Sequence, residues 1–187
     1  MKFFAAFIIM IGFAMTSFAQ GTSTNHITGD ATVVAQVLVS PVTSLEFGNV
    51  TPGFVKTIST LGTVVVGGNS GGGNTPTAGK FTVTKSEQSQ VTLTWLLPEN
   101  LTKTGGVNMP ISFADYSGGK CGAIVAGAGP TTTAFTPGAA LAISTGAFNA
   151  AFTAGTFDVL LGGTVTPANA QATGAYTADI TLTATYN

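Results

Sequence analysis

Arginine does not occur in this chain; its six cations are all lysines, set against seven acids and one histidine. Charged residues make up only 7% of the sequence, so there is no row of cations to neutralise phosphates, and nucleic-acid binding is excluded. Cysteine occurs once, as Cys121, which rules out an intrachain disulfide and leaves burial and backbone pairing to hold the fold. With Gly119, Lys120, Gly122 and Ala123 around it, Cys121 reads as a small buried hydrophobe at the start of a small-residue strand.

Catalytic constellations are equally scarce. The only histidine, His26, stands beside Asn25 in a polar stretch, and Asp30, Glu46, Glu87, Glu99, Asp115, Asp158 and Asp179 are scattered singly. A hydrolytic triad needs a nucleophile, a base and an orienting group, a glycosidase needs two carboxylates in one cleft, and a metal centre needs clustered ligands. No catalytic, cofactor-binding or metal residue is assigned on this basis, and the chain is not expected to be an enzyme. Asp158 and Asp179 are placed at outward positions on neighbouring late strands, as surface charges that discourage edge pairing.

One long apolar run is present, and it sits at the start. Lys2, the run Phe3–Met15 and the small residues Ser17 and Ala19 have the three-part layout of a secretory signal, with cleavage expected after Ala19. The run is shorter than the roughly 20 residues a spanning helix needs, which favours a removed leader over a membrane anchor. The expected organisation is a signal peptide over 1–19, a polar tail over 20–30 and a single domain over 31–187. The product is expected to be exported to the periplasm, cell surface or medium, without membrane insertion after cleavage.

Helical periodicity is absent beyond the leader, whereas period-two alternation recurs and Val, Thr, Phe and Ile are common. ATVVAQVLV, from Ala31 to Val39, has apolar residues on both faces and suits a strand near the middle of the packing. LEFGNV supplies Leu45, Phe47 and Val50 as inward anchors, followed by a Pro52-Gly53 turn. After Thr63–Val66, the run GGNSGGGN from Gly67 to Asn74 reads as an exposed loop. It lacks the Gly-Lys-Ser/Thr ending of a phosphate-binding loop.

KFTVTK, with Phe81 and Val83 inward, and VTLTWLL, with Val91, Leu93, Trp95 and Leu97 inward, are joined by the short polar SEQSQ, Ser86–Gln90. That spacing predicts an antiparallel hairpin. Trp95, the lone tryptophan, is expected to anchor the core. Ile111 and Phe113 mark a further strand, and Phe135, Leu141, Ile143, Phe148 and Phe152 are expected to be buried in some arrangement the spacing does not define. In TFDVLLGGTVT, Phe157, Val159 and Leu161 share a face, and Gly162-Gly163 invites a bulge or a close backbone approach.

The last strand has the clearest pattern. From Tyr176 to Tyr186 the positions Tyr176, Ala178, Ile180, Leu182, Ala184 and Tyr186 alternate with threonine or aspartate. Burying one Leu or Ile side chain is worth roughly 1.5–3 kcal/mol, so this face is expected to be packed, on its own domain or on another protein. Eight to ten such strands without crossover helices imply an all-β, antiparallel two-sheet sandwich.

The order of ATVVA, LEFGNV with its Pro-Gly, KFTVT, the Gly162–Thr164 element and QATGAYTADITLTATYN resembles a family of secreted bacterial domains known as domain-of-unknown-function family 4402. That family in turn is similar to the pilin subunits of the chaperone–usher pathway. Their terminal strand carries a glycine fourteen positions from the end and a penultimate tyrosine, matched here by Gly174 and Tyr186. The resemblance implies an immunoglobulin-like, Greek-key sandwich and a role as a structural or adhesive surface subunit similar to a pilin. It makes Gly174, Tyr176, Ala178, Ile180, Leu182, Ala184 and Tyr186 a candidate assembly strand, with a periplasmic chaperone, neighbouring subunits or a surface receptor as partners. Two features depart from the pilin pattern: the missing disulfide, and a tail, QGTSTNHITGD, whose one large apolar residue is Ile27. A stand-alone carbohydrate- or ligand-binding module is the alternative, for which Phe54, Tyr116 and Phe135 are the candidate exposed aromatics.

Overall fold

In the computed structural model, the residues described are 31–32, 36–67, 75–85, 90–105, 107–126, 132–138, 141–143 and 155–186. The leader, the polar tail with His26 and Ile27, residues 68–74 of the glycine loop, the connection 86–89, Phe148 and Phe152 lie outside them. Contacts divide the chain into Met1–Val33 and Val34–Asn187, and every described strand belongs to the second unit.

The described residues contain no helix and form thirteen strands, more and shorter than the eight to ten expected. Every pairing is antiparallel. The strands are β1 Val37–Thr43, β2 Lys56–Ile58, β3 Val64–Val66, β4 Gly79–Lys85, β5 Val91–Leu96, β6 Asn100–Leu101 and β7 Met109–Ser112, followed by β8 Gly122–Ala126, β9 Thr132–Phe135, β10 Leu141–Ile143, β11 Gly155–Leu161, β12 Gly163–Val165 and β13 Thr181–Tyr186. They make three sheets, in the orders β1-β4-β11-β8-β9, β10-β5-β13 and β3-β2-β12-β7-β6.

Alternation determines what each strand turns inward. Val83 of β4, Ile124 of β8, Phe135 of β9, and Phe157 and Val159 of β11 leave the first sheet to meet Val91 and Leu93 of β5 and Leu182 of β13 from the second. This cluster is the interior of a β-sandwich-like packing. A second cluster gathers Phe47, Ile58, Met109, Ile111, Phe113, Leu161 and Val165 under the third sheet. Trp95 packs against both clusters, its ring edge-on to Phe81 at 6.1 Å and stacked on Phe135 at 5.9 Å.

Two expectations are overturned. KFTVTK and VTLTWLL do not form a hairpin: β4 pairs with β1 and β11, while β5 pairs with β10 and β13. The connection carries the chain from one sheet to the facing one, so Val83 meets Val91 and Leu93 across the core instead of beside them. An alternating strand presents the same inward face in either arrangement, and the short polar link permits both. Nor is β1 central. It lies at the edge of its sheet, with Val37 and Val39 half-buried, Leu38 61% exposed and Pro41 within the strand. Proline is tolerated at an edge because the missing N–H removes no ladder bond from a central strand.

β11 and β12 are one run of chain shared by two sheets. Leu161 pairs with Gly122 in the first sheet, and Gly163 with Ile58 in the third. The change occurs at Gly162, whose N–H donates to the carbonyl of Cys121 at 2.7 Å. A β-carbon at Gly162 would lie 2.3 Å from the carbonyl oxygen of Ile58, so the close backbone approach expected from Gly162-Gly163 is present.

Candidate functional site

Beside the second cluster lies an open cleft of about 720 Å³. One wall is the segment after β1, Ser44 to Val50 with Pro52, and the other is the segment leading into β13, Gln171 to Ala178 with Ile180. Leu101, Met109, Ile111 and Val165 line it between them. Met109, Ile111, Val165 and Phe47 are buried, and Leu45, Val50, Leu101, Tyr176 and Ile180 pack half-buried against them. Of the lining residues only Glu46 carries a charge.

Each wall is tied back to a neighbour. In the first, Glu46 and Thr77 exchange backbone N–H···O bonds of 3.0 Å, and the Thr77 hydroxyl donates to the Ser44 carbonyl at 2.8 Å. Lys56, 3% exposed, donates its amine to the carbonyl of Asn49 at 2.8 Å, and burial holds its pKa below the ordinary lysine value. In the second wall, Thr102 and Thr177 exchange N–H···O bonds of 2.9 Å.

Gln171 locks the turn behind that second wall. Buried at 7% exposure, it accepts from the Ala168 N–H at 3.0 Å and donates to the Tyr176 hydroxyl at 2.8 Å and the Val107 carbonyl at 3.2 Å. The Tyr176 hydroxyl in turn donates a hydrogen bond to the Ala172 carbonyl at 2.7 Å. Gly174 has φ 138° and the Lys103 side chain packed against it, where a β-carbon would lie 2.7 Å from Lys103 Cε. The positive φ favours glycine there, while the end of the Lys103 side chain could move aside; Lys103 donates its amine to the Thr173 carbonyl.

The seven residues of the candidate assembly strand are therefore divided between two environments. Gly174, Tyr176, Ala178 and Ile180 line the cleft. Leu182 is buried in the first cluster, and Ala184 and Tyr186 pack against it. The ladder itself is shorter than the alternation suggested: β13 covers Thr181–Tyr186 and pairs with β5, whereas Thr177 makes only an isolated bridge. Among the described strands β13 is an edge of its sheet. Its Tyr186 hydroxyl donates to the Gln36 carbonyl at 2.9 Å, just before β1.

The remaining sequence candidates fall elsewhere. Asp158 and Asp179 are not on neighbouring strands: Asp158 is in β11, whereas Asp179 lies outside the strands, in the segment that leads into β13. Asp158 instead pairs with Lys80 at 2.5 Å and accepts from the Thr82 hydroxyl at 2.7 Å. Burial works against its carboxylate, but these hydrogen bonds and the lysine charge bring its pKa below the ordinary aspartate value. Cys121 is fully buried and its thiol donates to the Ala114 carbonyl at 3.0 Å. Burial, helped by the nearby charge of Asp115, pushes its pKa up to about 11. Phe135 is buried and Tyr116 half-buried, while Phe54 is 66% exposed.

The sequence pattern marked Leu45, Phe47 and Val50 as anchors but did not show that they and the Tyr176–Ile180 segment bound a common cleft. Leu101, the locking role of Gln171 and the buried Lys56 had no sequence signal, since each depends on contacts with residues distant in the chain. Among the described residues no group of His, Cys, Asp and Glu is placed to hold a metal ion, and no helix is long and apolar enough to cross a membrane. The described residues define an all-β, antiparallel, sandwich-like packing with an open cleft of mixed polar and apolar lining, bounded on one side by the segment that leads into β13. No family model matches the chain, and no curated protein and no solved structure is significantly similar to it.

Proposed function

We propose that this protein is an exported structural or adhesive surface subunit, similar to a pilin, that assembles by accepting an extended strand. In this reading residues 1–19 are a cleaved signal peptide and the domain is an incomplete immunoglobulin-like, Greek-key sandwich. The observation that carries it is the open cleft between Ser44–Val50 and Gln171–Ile180, floored by buried apolar residues and continuous in sequence with the edge strand β13. Strand addition draws affinity from main-chain hydrogen bonds at an edge and specificity from pockets that receive alternate side chains; in this reading the walls of the cleft would offer the first, and the half-buried Leu45, Leu101 and Ile180 the second. At about 3.3 Å per residue, a strand lying along the Ser44–Val50 wall would point about three side chains into the slot.

The test is an Ala178→Lys variant, which places a charge on the wall of the cleft at a half-buried position. The variant is expected to be exported and to melt as the natural protein does, while the high-mass species cross-linked at the cell surface disappear. The reading fails if the natural protein forms no such species, or if the charged variant forms them equally well.

A further inference from the structure

We infer that two copies of this chain associate through the outer surface of the β2–β3 hairpin, about a two-fold axis, in a contact separate from the cleft. The inference does not depend on the strand-accepting reading and stands or falls without it. Nine large apolar side chains are exposed among the described residues, and five of them, Phe54, Val55, Leu61, Val65 and Val66, come from the one stretch Phe54–Val66. Single apolar residues on a surface need no explanation, whereas a concentration of them marks an interaction site. Pairing of β2 with β3 sets Val66 opposite Thr57, and Gly67 lies so near Val55 that a β-carbon on it would be 2.2 Å from the Val55 carbonyl oxygen.

The exposure is built into the hairpin. At its turn Ser59 is buried, and its hydroxyl accepts from the N–H groups of Leu61 and Thr63, both at 3.2 Å, and shares a 2.6 Å hydrogen bond with the Thr63 hydroxyl. The Gly62 N–H donates to the Ser59 carbonyl at 2.9 Å. Leu61 is thereby fixed at the tip with 81% of its surface in water, and a backbone already held in place has little freedom left to lose on contact. Thr57 pairs with Val66 and Ile58 with Val64, so Val65 is an extra residue, a bulge in β3. A bulge re-aims the side chains beside it. Here Val64 packs on the second cluster while Val65 and Val66 both reach solvent.

Charge selects the occupant. No charged residue lies between Lys56 and Lys80, nor between Asp158 and Asp179, the stretch that supplies β12 on the other side of β2. Lys56 itself is buried, with its amine on the Asn49 carbonyl. A foreign partner chosen by complementary charge finds nothing to read on this strip. A second copy meets no like charge and an identical apolar strip, which a two-fold contact places against itself. β3 is also the edge of the third sheet among the described strands, and it carries neither the lysine nor the proline that keeps other chains from an edge. The exposed parts of the five side chains amount to a few hundred Å² per copy. Covering both strips approaches the ~1,000 Å² at which specific contacts begin, which sets a weak dimer that forms as concentration rises.

The experiment measures mass by sedimentation equilibrium over a wide concentration range, on the protein purified from expressing cells, together with hydrogen exchange at low and high concentration. The expected result is a monomer that passes to a dimer as concentration rises, with slower exchange across Phe54–Val66 in the dimer. A double variant, Phe54→Asp with Leu61→Asp, is expected to melt as the natural protein does, because both side chains lie mostly in water, and to weaken the dimer about tenfold or more. Ala178→Lys, in the cleft, is expected to leave the dimer unchanged. A natural protein that stays monomeric at every concentration overturns the inference, as does a dimer that survives the double substitution or dissolves on Ala178→Lys. Binding to phosphatidylcholine vesicles that is lost in the double variant, with no dimer in solution, also overturns it and assigns the strip to a lipid surface. If the double variant does not fold, exchange in the natural chain decides: no concentration-dependent protection of Phe54–Val66 means no such contact.

Discussion

Gly162 and Ile58 approach so closely that a β-carbon on the first would lie 2.3 Å from the carbonyl oxygen of the second. This contact lets one run of chain leave the first sheet as β11 and enter the third as β12, and it brings the carbonyl of Cys121 within 2.7 Å of the Gly162 N–H. A Gly162→Ala variant forces that junction apart. The expected loss is about 1–3 kcal/mol or more, the range for overpacking a close-packed interior, measured as a lower denaturation midpoint. An unchanged midpoint would show that the junction can relax.

Trp95 sits between the two clusters, and its buried indole Nε1 finds no hydrogen-bond partner among the described residues. An unsatisfied buried donor costs about 1–3 kcal/mol. Trp95→Phe removes that donor while retaining a ring, and is expected to cost less than Phe157→Ala, for which about 3–5 kcal/mol is the usual range. Equal losses from chemical denaturation of the two variants would contradict this account.

Removing Thr183–Asn187 takes away most of the β13–β5 ladder together with the Tyr186 bond to Gln36. It also uncovers Leu182, which is 6% exposed in the intact domain. The truncated protein is expected to melt well below the full chain and to be recovered in lower amounts on expression. Unchanged melting and yield would show that β13 does not hold the fold.

The Asp158–Lys80 pair predicts an acid limb to the stability curve. The folded-state pKa of Asp158 is below its ordinary value, so the unfolded chain takes up this proton first as the pH falls. The stabilisation is complete above the ordinary aspartate value of about 3.9 and is lost as the pH drops through the depressed folded value. Asp158→Asn should lower stability at neutral pH and flatten the curve below about pH 4, as followed by denaturation at several pH values. The pair is part-exposed, so the effect is expected to be modest and to shrink with added salt.

Cys121 predicts the opposite limb. With its folded pKa pushed up to about 11, the native state keeps a proton that the unfolded chain releases in the ordinary thiol range. Stability therefore falls as the pH rises from that range toward the folded value. A thiol reagent at neutral pH should modify Cys121 only as fast as the protein opens, with full labelling in denaturant; rapid labelling of the folded protein would show that the site is accessible.

Much of the interior could be read from the sequence because period-two alternation states which side chains turn inward. Phe47, Val83, Val91, Leu93, Ile111, Phe113, Phe157, Val159, Leu161 and Leu182 were singled out on that ground, and all are buried. The candidate site was legible only in fragments. LEFGNV and the Tyr176–Tyr186 alternation each stood out, but the cleft exists because Glu46 is tied to Thr77 and Thr177 to Thr102, pairings between segments that carry no mark of one another.

The sequence alone determined that the described residues are all-β, that no intrachain disulfide braces them and that apolar faces alternate along their strands. Tertiary structure decided which strands became neighbours: that β4 faces β5 across the core, that β1 takes an edge, and that the Tyr176–Tyr186 face divides between a cleft and a core. The physical reason is that side-chain alternation encodes facing, whereas strand pairing is made by backbone N–H and C=O groups that are the same at nearly every residue. The choice among possible partners is settled only when all the apolar faces are buried at once.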